Sequence, residues 1–91
     1  MMSGDAVRYC RIEFHCQINQ RTISLHQADC GTLTRIMNLK KDLENVFGLP
    51  PDQQEWYIRE IQLHNEQNLQ YYGIKDNSGN RNPFKIFVKN R

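Results

Sequence analysis

Three cysteines and three histidines are the side chains of this 91-residue chain best suited to hold a metal or act as nucleophile and base. Their spacing serves neither chemistry. Cys10, Cys16 and Cys30 contain no Cys-x-x-Cys pair, and His15, His26 and His64 each lack a second ligand at metal spacing. The odd cysteine count argues against a disulfide framework, so the cysteines are expected as small hydrophobes in or near a core. The histidines are expected on the surface. The sequence offers no Ser, His and Asp grouping with a plausible nucleophile setting, no Gly-rich phosphate loop and no paired carboxylates at a loop mouth. The chain therefore reads as non-catalytic, without cofactor or metal. What remains is the chemistry of contact: aromatic and basic residues interleaved in Trp56-Tyr57-Ile58-Arg59 and Phe84-Lys85-Ile86-Phe87-Val88-Lys89.

The length allows one domain with a single modest core. The apolar fraction of 38% and the charged fraction of 24% fit a globular chain. A formal charge of +2 is too weak for a nucleic-acid partner, which calls for a dense basic patch. No apolar run approaches the roughly 20 residues of a membrane span, and residues 1–6 lack the apolar core of a signal peptide. The expectation is a cytoplasmic or nuclear protein, monomeric as an isolated domain, with no nucleic-acid and no membrane partner.

These side chains need elements to position them. Residues 1–7 are small and polar and read as a flexible tail, with the domain over 8–91. From Tyr9 to Gln17, Cys10, Ile12, Phe14 and Cys16 alternate with Arg11, Glu13, His15 and Gln17, the pattern of a half-buried strand. Thr22–Gln27 alternates likewise, with Ile23 and Leu25 expected inward, so the two runs form a hairpin. Thr32 is a candidate N-cap for a helix from Leu33 to Phe47, whose apolar face would carry Leu33, Ile36, Met37, Leu43, Val46 and Phe47. Leu39 lies off that stripe and Lys40 on it, its amine expected to stay wet. Gly48 ends the helix, and Pro50-Pro51 makes a stiff corner. A third strand covers Glu55–Arg59 and a short fourth Ile61–Leu63. Leu69–Ile74 reads as a single 3₁₀ or helical turn plugging the core with Leu69 and Ile74. A hydrophilic loop over Asp76–Pro83 leads to a fifth strand from Phe84 to Lys89. One apolar sheet face crossed by one amphipathic helix makes an α+β two-layer sandwich.

Gly48-Leu49-Pro50-Pro51-Asp52-Gln53-Gln54 closely resembles the segment after the main helix of ubiquitin, with Leu49 in place of isoleucine. Thr22–Leu25 resembles ubiquitin's second strand. Leu69, Tyr72 and Ile74 match its Leu-Ser-Asp-Tyr-Asn-Ile segment, and Leu63 also matches. The resemblance covers about Cys10 to Arg91 and implies a ubiquitin-like β-grasp: a mixed five-stranded sheet with first and last strands parallel in its middle. It also implies that Tyr72 packs under the preceding loop and bonds its backbone. The departures are a longer helix, a longer loop before the last strand, and Ile61 and Asp76 where ubiquitin has its best-known chain-building lysines. The Lys89-Asn90-Arg91 ending has no Gly-Gly. The implied class is a non-conjugated ubiquitin-like domain built into a larger protein.

Strand parity places Tyr57 and Phe87 on the sheet face away from the helix, where polar residues are the rule. The resemblance puts both in the patch that ubiquitin receptors grip, with Lys85 at the histidine of that patch and Ile18 or Asn19 near its hairpin leucine. Arg59, Lys85 and Lys89, and with them Arg11, supply a basic rim. An apolar pair rimmed by charge has the form of a partner site. The expected partner is a ubiquitin-binding domain or proteasomal receptor, to which the domain recruits its host protein, or a ubiquitin-binding domain inside the same host, which it would regulate intramolecularly. The alternative is a Ras-binding type of β-grasp, which would pair the second-strand edge with a small GTPase, helped by Arg8, Arg11 and Arg21.

Overall fold

The alternation of Cys10, Ile12, Phe14 and Cys16 produces strand β1 (Tyr9–Ile18), in which each of these four side chains is at most 1% exposed. The computed structural model describes residues 9–18, 21–74 and 83–91. The tail expected over 1–7, Arg8, Asn19 and the expected loop through residue 82 lie outside the described residues, as do the side chains of Thr22 and Ile23. β2 (Arg21–Gly31) returns antiparallel to β1. Helices α1 (Ile36–Asp42) and α2 (Glu44–Phe47) follow, then β3 (Gln54–Ile58), β4 (Ile61–Gln62), a 3₁₀ turn at Gln70–Tyr72 and β5 (Phe84–Asn90). The strands form one mixed sheet in the order β2-β1-β5-β3-β4. β1 and β5 run parallel at its centre, and every other pairing is antiparallel. This is the expected α+β β-grasp.

The core lies between the helices and one face of the sheet. Phe14, Phe47 and Trp56 form a triangle of rings with centroids 5.0 to 6.4 Å apart, within the range of favourable edge-on contacts. Leu63, Leu69 and Ile74 close one side of it, each at most 2% exposed. Gln54 fastens the corner to the core: its side-chain amide donates to the carbonyls of Lys40 and Leu49 at 3.1 and 2.8 Å, and its oxygen accepts from Trp56 Nε1 at 2.8 Å. Gly48 ends the helical layer in the left-handed conformation, φ 69°, and its amide reaches Glu44. The amide of His64 donates to the Tyr72 hydroxyl at 2.7 Å, the structural role that the resemblance implied.

Four expectations need correction. The helix does not start after Thr32, which is buried; it starts at Ile36, and Arg35 supplies no side-chain cap. The amides of Ile36 and Met37 donate instead to the carbonyls of Gln67 and Asn65, at 2.8 and 3.1 Å. Backbone remote in sequence satisfies donors that a local side chain was expected to take. The single expected helix is also broken at Leu43. The later start turns the buried stripe to Ile36, Leu39, Lys40, Leu43 and Phe47, and leaves Leu33 and Val46 exposed.

Lys40 does not keep its amine in water. The residue is buried, with Nζ 2.7 Å from the side-chain oxygen of Asn65, and burial lowers its pKa, opposed by the Glu55 carboxylate. Finally, β2 is longer than Thr22–Gln27, and Leu25 points outward. Cys16 faces Ser24 and Gln17 faces Thr22, so Ile23 is the extra residue of a bulge. A bulge resets the alternation, so the parity counted from Thr22 fails after Ile23.

Candidate protein-interaction face

The outward face of the sheet owes its geometry to register. Tyr57 on β3 lies opposite Phe87 on β5, and Phe87 lies opposite His15 on β1. His15 lies opposite Leu25 on β2, and Tyr57 opposite Gln62 on β4. Leu25, His15, Phe87, Tyr57 and Gln62 thus form one row across all five strands. The three central rings are half-buried, and Leu25 is 61% exposed.

Charged groups hold the rings. Lys89 Nζ lies 5.0 Å above the Tyr57 ring, a cation–π contact. The Tyr57 hydroxyl donates to Glu55 at 3.2 Å, and burial together with that carboxylate pushes the phenol pKa up. His15 tilts against Phe87 at 5.0 Å, with Nε2 2.7 Å from Glu13. Glu13 also accepts from Gln27 at 3.2 Å, and these two hydrogen bonds hold its carboxyl below the usual range. Beside the rings is a shallow hollow of about 370 Å³, lined by Gln17, Tyr57, Arg59, Glu60, Phe87 and Lys89. Arg59 sits on its rim in the turn after β3, with φ 57°.

Of the residues singled out from sequence, Tyr57, Phe87, Arg59 and Lys89 meet at this hollow. Lys85 stands on β5 opposite Glu13, exposed, two residues from Phe87 and outside the hollow's lining. Ile18 pairs with Arg21 at the end of β1; Gln17 is the residue of that strand that reaches the hollow. Sequence reasoning passed over His15, Leu25, Gln17 and Glu60. The alternation of β1 already sets His15 and Gln17 outward, so their signal was present; Leu25 was hidden by the bulge. Arg11, assigned to the basic rim and to the edge, bonds Asp29 at 3.2 Å.

Elsewhere the thiols are packed away. Cys10, Cys16 and Cys30 are buried thiols, and burial pushes Cys16 up and Cys30 up to about 12. Among the described residues, no group of three His, Cys, Asp or Glu side chains is placed to hold a metal ion. No helix among them is long and apolar enough to cross a membrane.

The sequence model of the ubiquitin family matches residues 19–79, more than half of the chain. The chain belongs to the ubiquitin family. Matched solved structures agree on the fold. The UBL domain of Plasmodium falciparum Dsk2 superposes with a TM-score of 0.71 at 13% identity, over 91% of this chain and 99% of that one. A ubiquitin-like domain of an Arabidopsis thaliana protein superposes with a TM-score of 0.73 at 20% identity, over 97% of this chain and 83% of that one. No curated protein sequence matches the chain. The family match ends before β5, which supplies Phe87 and Lys89 to the face; their place in this ubiquitin-like domain rests on the sheet register.

Proposed function

We propose that this ubiquitin-like domain is a non-catalytic docking module whose Tyr57/Phe87 face recruits a larger protein to ubiquitin receptors or the ubiquitin–proteasome machinery, in the cytoplasm or nucleus. The observation that carries the reading is the pair itself. Two aromatic rings stand opposite each other at the middle of an otherwise solvent-facing sheet surface, beside a hollow rimmed by Arg59 and Lys89. Aromatic anchors within a charged rim are the usual form of a binding hot spot. Lys85 and Ile18 belong to the proposed periphery of the contact.

The test is an NMR titration of the labelled domain with a ubiquitin-interacting helix, a ubiquitin-associated domain, the proteasomal receptor domains and a GTP-loaded Ras-type GTPase. Shifts centred on Tyr57, Phe87 and Lys89 with one of the first three are expected. Shifts confined to residues 22–27 with the GTPase would replace this reading with the Ras-binding one.

A further inference from the structure

β2 is the terminal strand of the sheet, so the outer edge of an 11-residue strand has no neighbour among the described residues. An open edge presents unpaired backbone donors and acceptors and is a template for another strand unless charge, proline or a cover blocks it. The middle of this edge, Ser24-Leu25-His26-Gln27-Ala28, contains no Asp, Glu, Lys, Arg or Pro. The charges lie at its two ends and have opposite sign: Arg21 at the start of the strand and Asp29 near its close, both exposed.

That distribution is self-complementary. In antiparallel pairing of two copies about an axis through Leu25, residues equally far from position 25 face each other. Leu25 meets Leu25 of the second copy, and Ser24 meets His26. Arg21 of each copy comes level with Ala28 and Asp29 of the other, the extra residue Ile23 of the bulge accounting for the spread. Asp29 already accepts from Arg11, and a carboxylate can receive two cationic donors. Arg11 being engaged and the far end being acidic, the edge is not the uniformly basic strip that a GTPase strand would select.

We infer that β2 is a self-association edge, and that a second copy of this chain is its occupant. Leu25, which is 61% exposed, gains an apolar neighbour on the outer face. A ten-stranded sheet results. Its two-fold axis stands perpendicular to the sheet, so both outward faces lie on the same side. Strand pairing alone buries little surface, so the dimer is weak and concentration-dependent. The inference rests on the β2 edge and stands whether or not the Tyr57/Phe87 face docks a receptor.

Sedimentation equilibrium of the whole chain tests it. The protein is expected to pass from monomer to dimer mass with rising concentration. Leu25→Lys, which sets like charges at the axis, is expected to weaken association at least about tenfold, with an unchanged circular dichroism spectrum. Arg21→Asp and Asp29→Arg should each fail to self-associate and should dimerise when mixed, because opposite charges then meet at both ends. Monomer mass up to about 1 mM, the weak end of specific association, would overturn the inference. So would a dimer that Leu25→Lys leaves intact, or a mixture that stays monomeric while the unsubstituted chain dimerises.

Discussion

Trp56 and Tyr57 are neighbours in the chain and live in different solvents. Trp56 is fully buried, its ring packed on Phe14 and Phe47 and its only donor taken by Gln54. Tyr57 is half-buried, its ring covered by the Lys89 ammonium and its hydroxyl bonded to Glu55. The same division runs along β5, where Ile86 and Val88 are inaccessible and Phe87 is not. Apolar contacts on the inner face are unavailable to any partner and count towards folding alone. Rings on the outer face have exchanged only part of their water, so further burial against a partner can still release free energy. Because a strand alternates, the residues that hold the fold and those of the proposed docking face fall on alternate positions and can be mutated apart.

The largest expected effect is on the inner face. Trp56→Ala should cost about 3–5 kcal/mol, a large part of the 5–15 kcal/mol typical of a whole domain. It also leaves the Gln54 oxygen without its donor. Urea unfolding followed by circular dichroism measures this, and a loss below about 1 kcal/mol would erase the distinction between the faces. Tyr57→Ala and Phe87→Ala sharpen it from the other side. Each should lower stability by no more than about 1 kcal/mol, the scale of a cross-strand pair. Each should cost receptor binding about 2 kcal/mol or more, roughly thirtyfold in affinity. Unchanged binding in both variants, measured calorimetrically, would leave the face without a function.

How far these faces can be read from sequence depends on what interrupts the period. β1, β3 and β5 carry unbroken alternation, and their inward residues, Ile12, Phe14, Trp56, Ile86 and Val88, are those that parity picks out. The proline corner and the Leu69–Ile74 plug were equally legible, because Gly, Pro and an isolated apolar pair act locally. Two features were not. The frame of β2 turns over at Ile23, and only the pairing with β1 reveals the bulge. The helix start is set by carbonyls of Asn65 and Gln67, some thirty residues downstream, so no local capping signal could place it. The site inherited the same split: Tyr57, Phe87, Arg59 and Lys89 lie on or beside legible strands, whereas Leu25 lies beyond the bulge.

The inner face also carries a pH signature. Cys30 is buried there with its thiol pushed up to about 12, chiefly by burial and then by Cys10, Asp29 and Asp42. Above about 9 the unfolded chain releases this proton while the folded chain retains it. The folded state then binds more protons, so its stability falls as pH rises, by at most about 1.4 kcal/mol per pH unit from this one group. Cys30→Ala should therefore lose stability less steeply than the unsubstituted chain as pH rises through that window. Parallel curves would mean that the thiol is not desolvated, and that the inner face is wetter at the hairpin's open end than its packing indicates.

The smallest expected effect joins the two roles in one residue. Arg59 holds φ 57°, the left-handed region, where a side chain costs about 1–2 kcal/mol. Arg59→Gly removes that cost, and the greater freedom of glycine in the unfolded chain returns about 0.5–1 kcal/mol of it. The net expectation is a gain in stability between zero and about 1.5 kcal/mol. The same change removes a cation from the hollow's rim, and rim charges act on association rate more than on affinity. A more stable domain that associates with its receptor more slowly is the expected outcome, read from urea unfolding and stopped-flow binding. Arg59→Ala separates the causes, because it removes the charge and keeps the strained φ. It should slow association equally and stabilise nothing. If Arg59→Gly instead destabilises the fold, then the guanidinium packs against the hollow strongly enough to outweigh its own backbone strain, and the separation of faces fails at this turn.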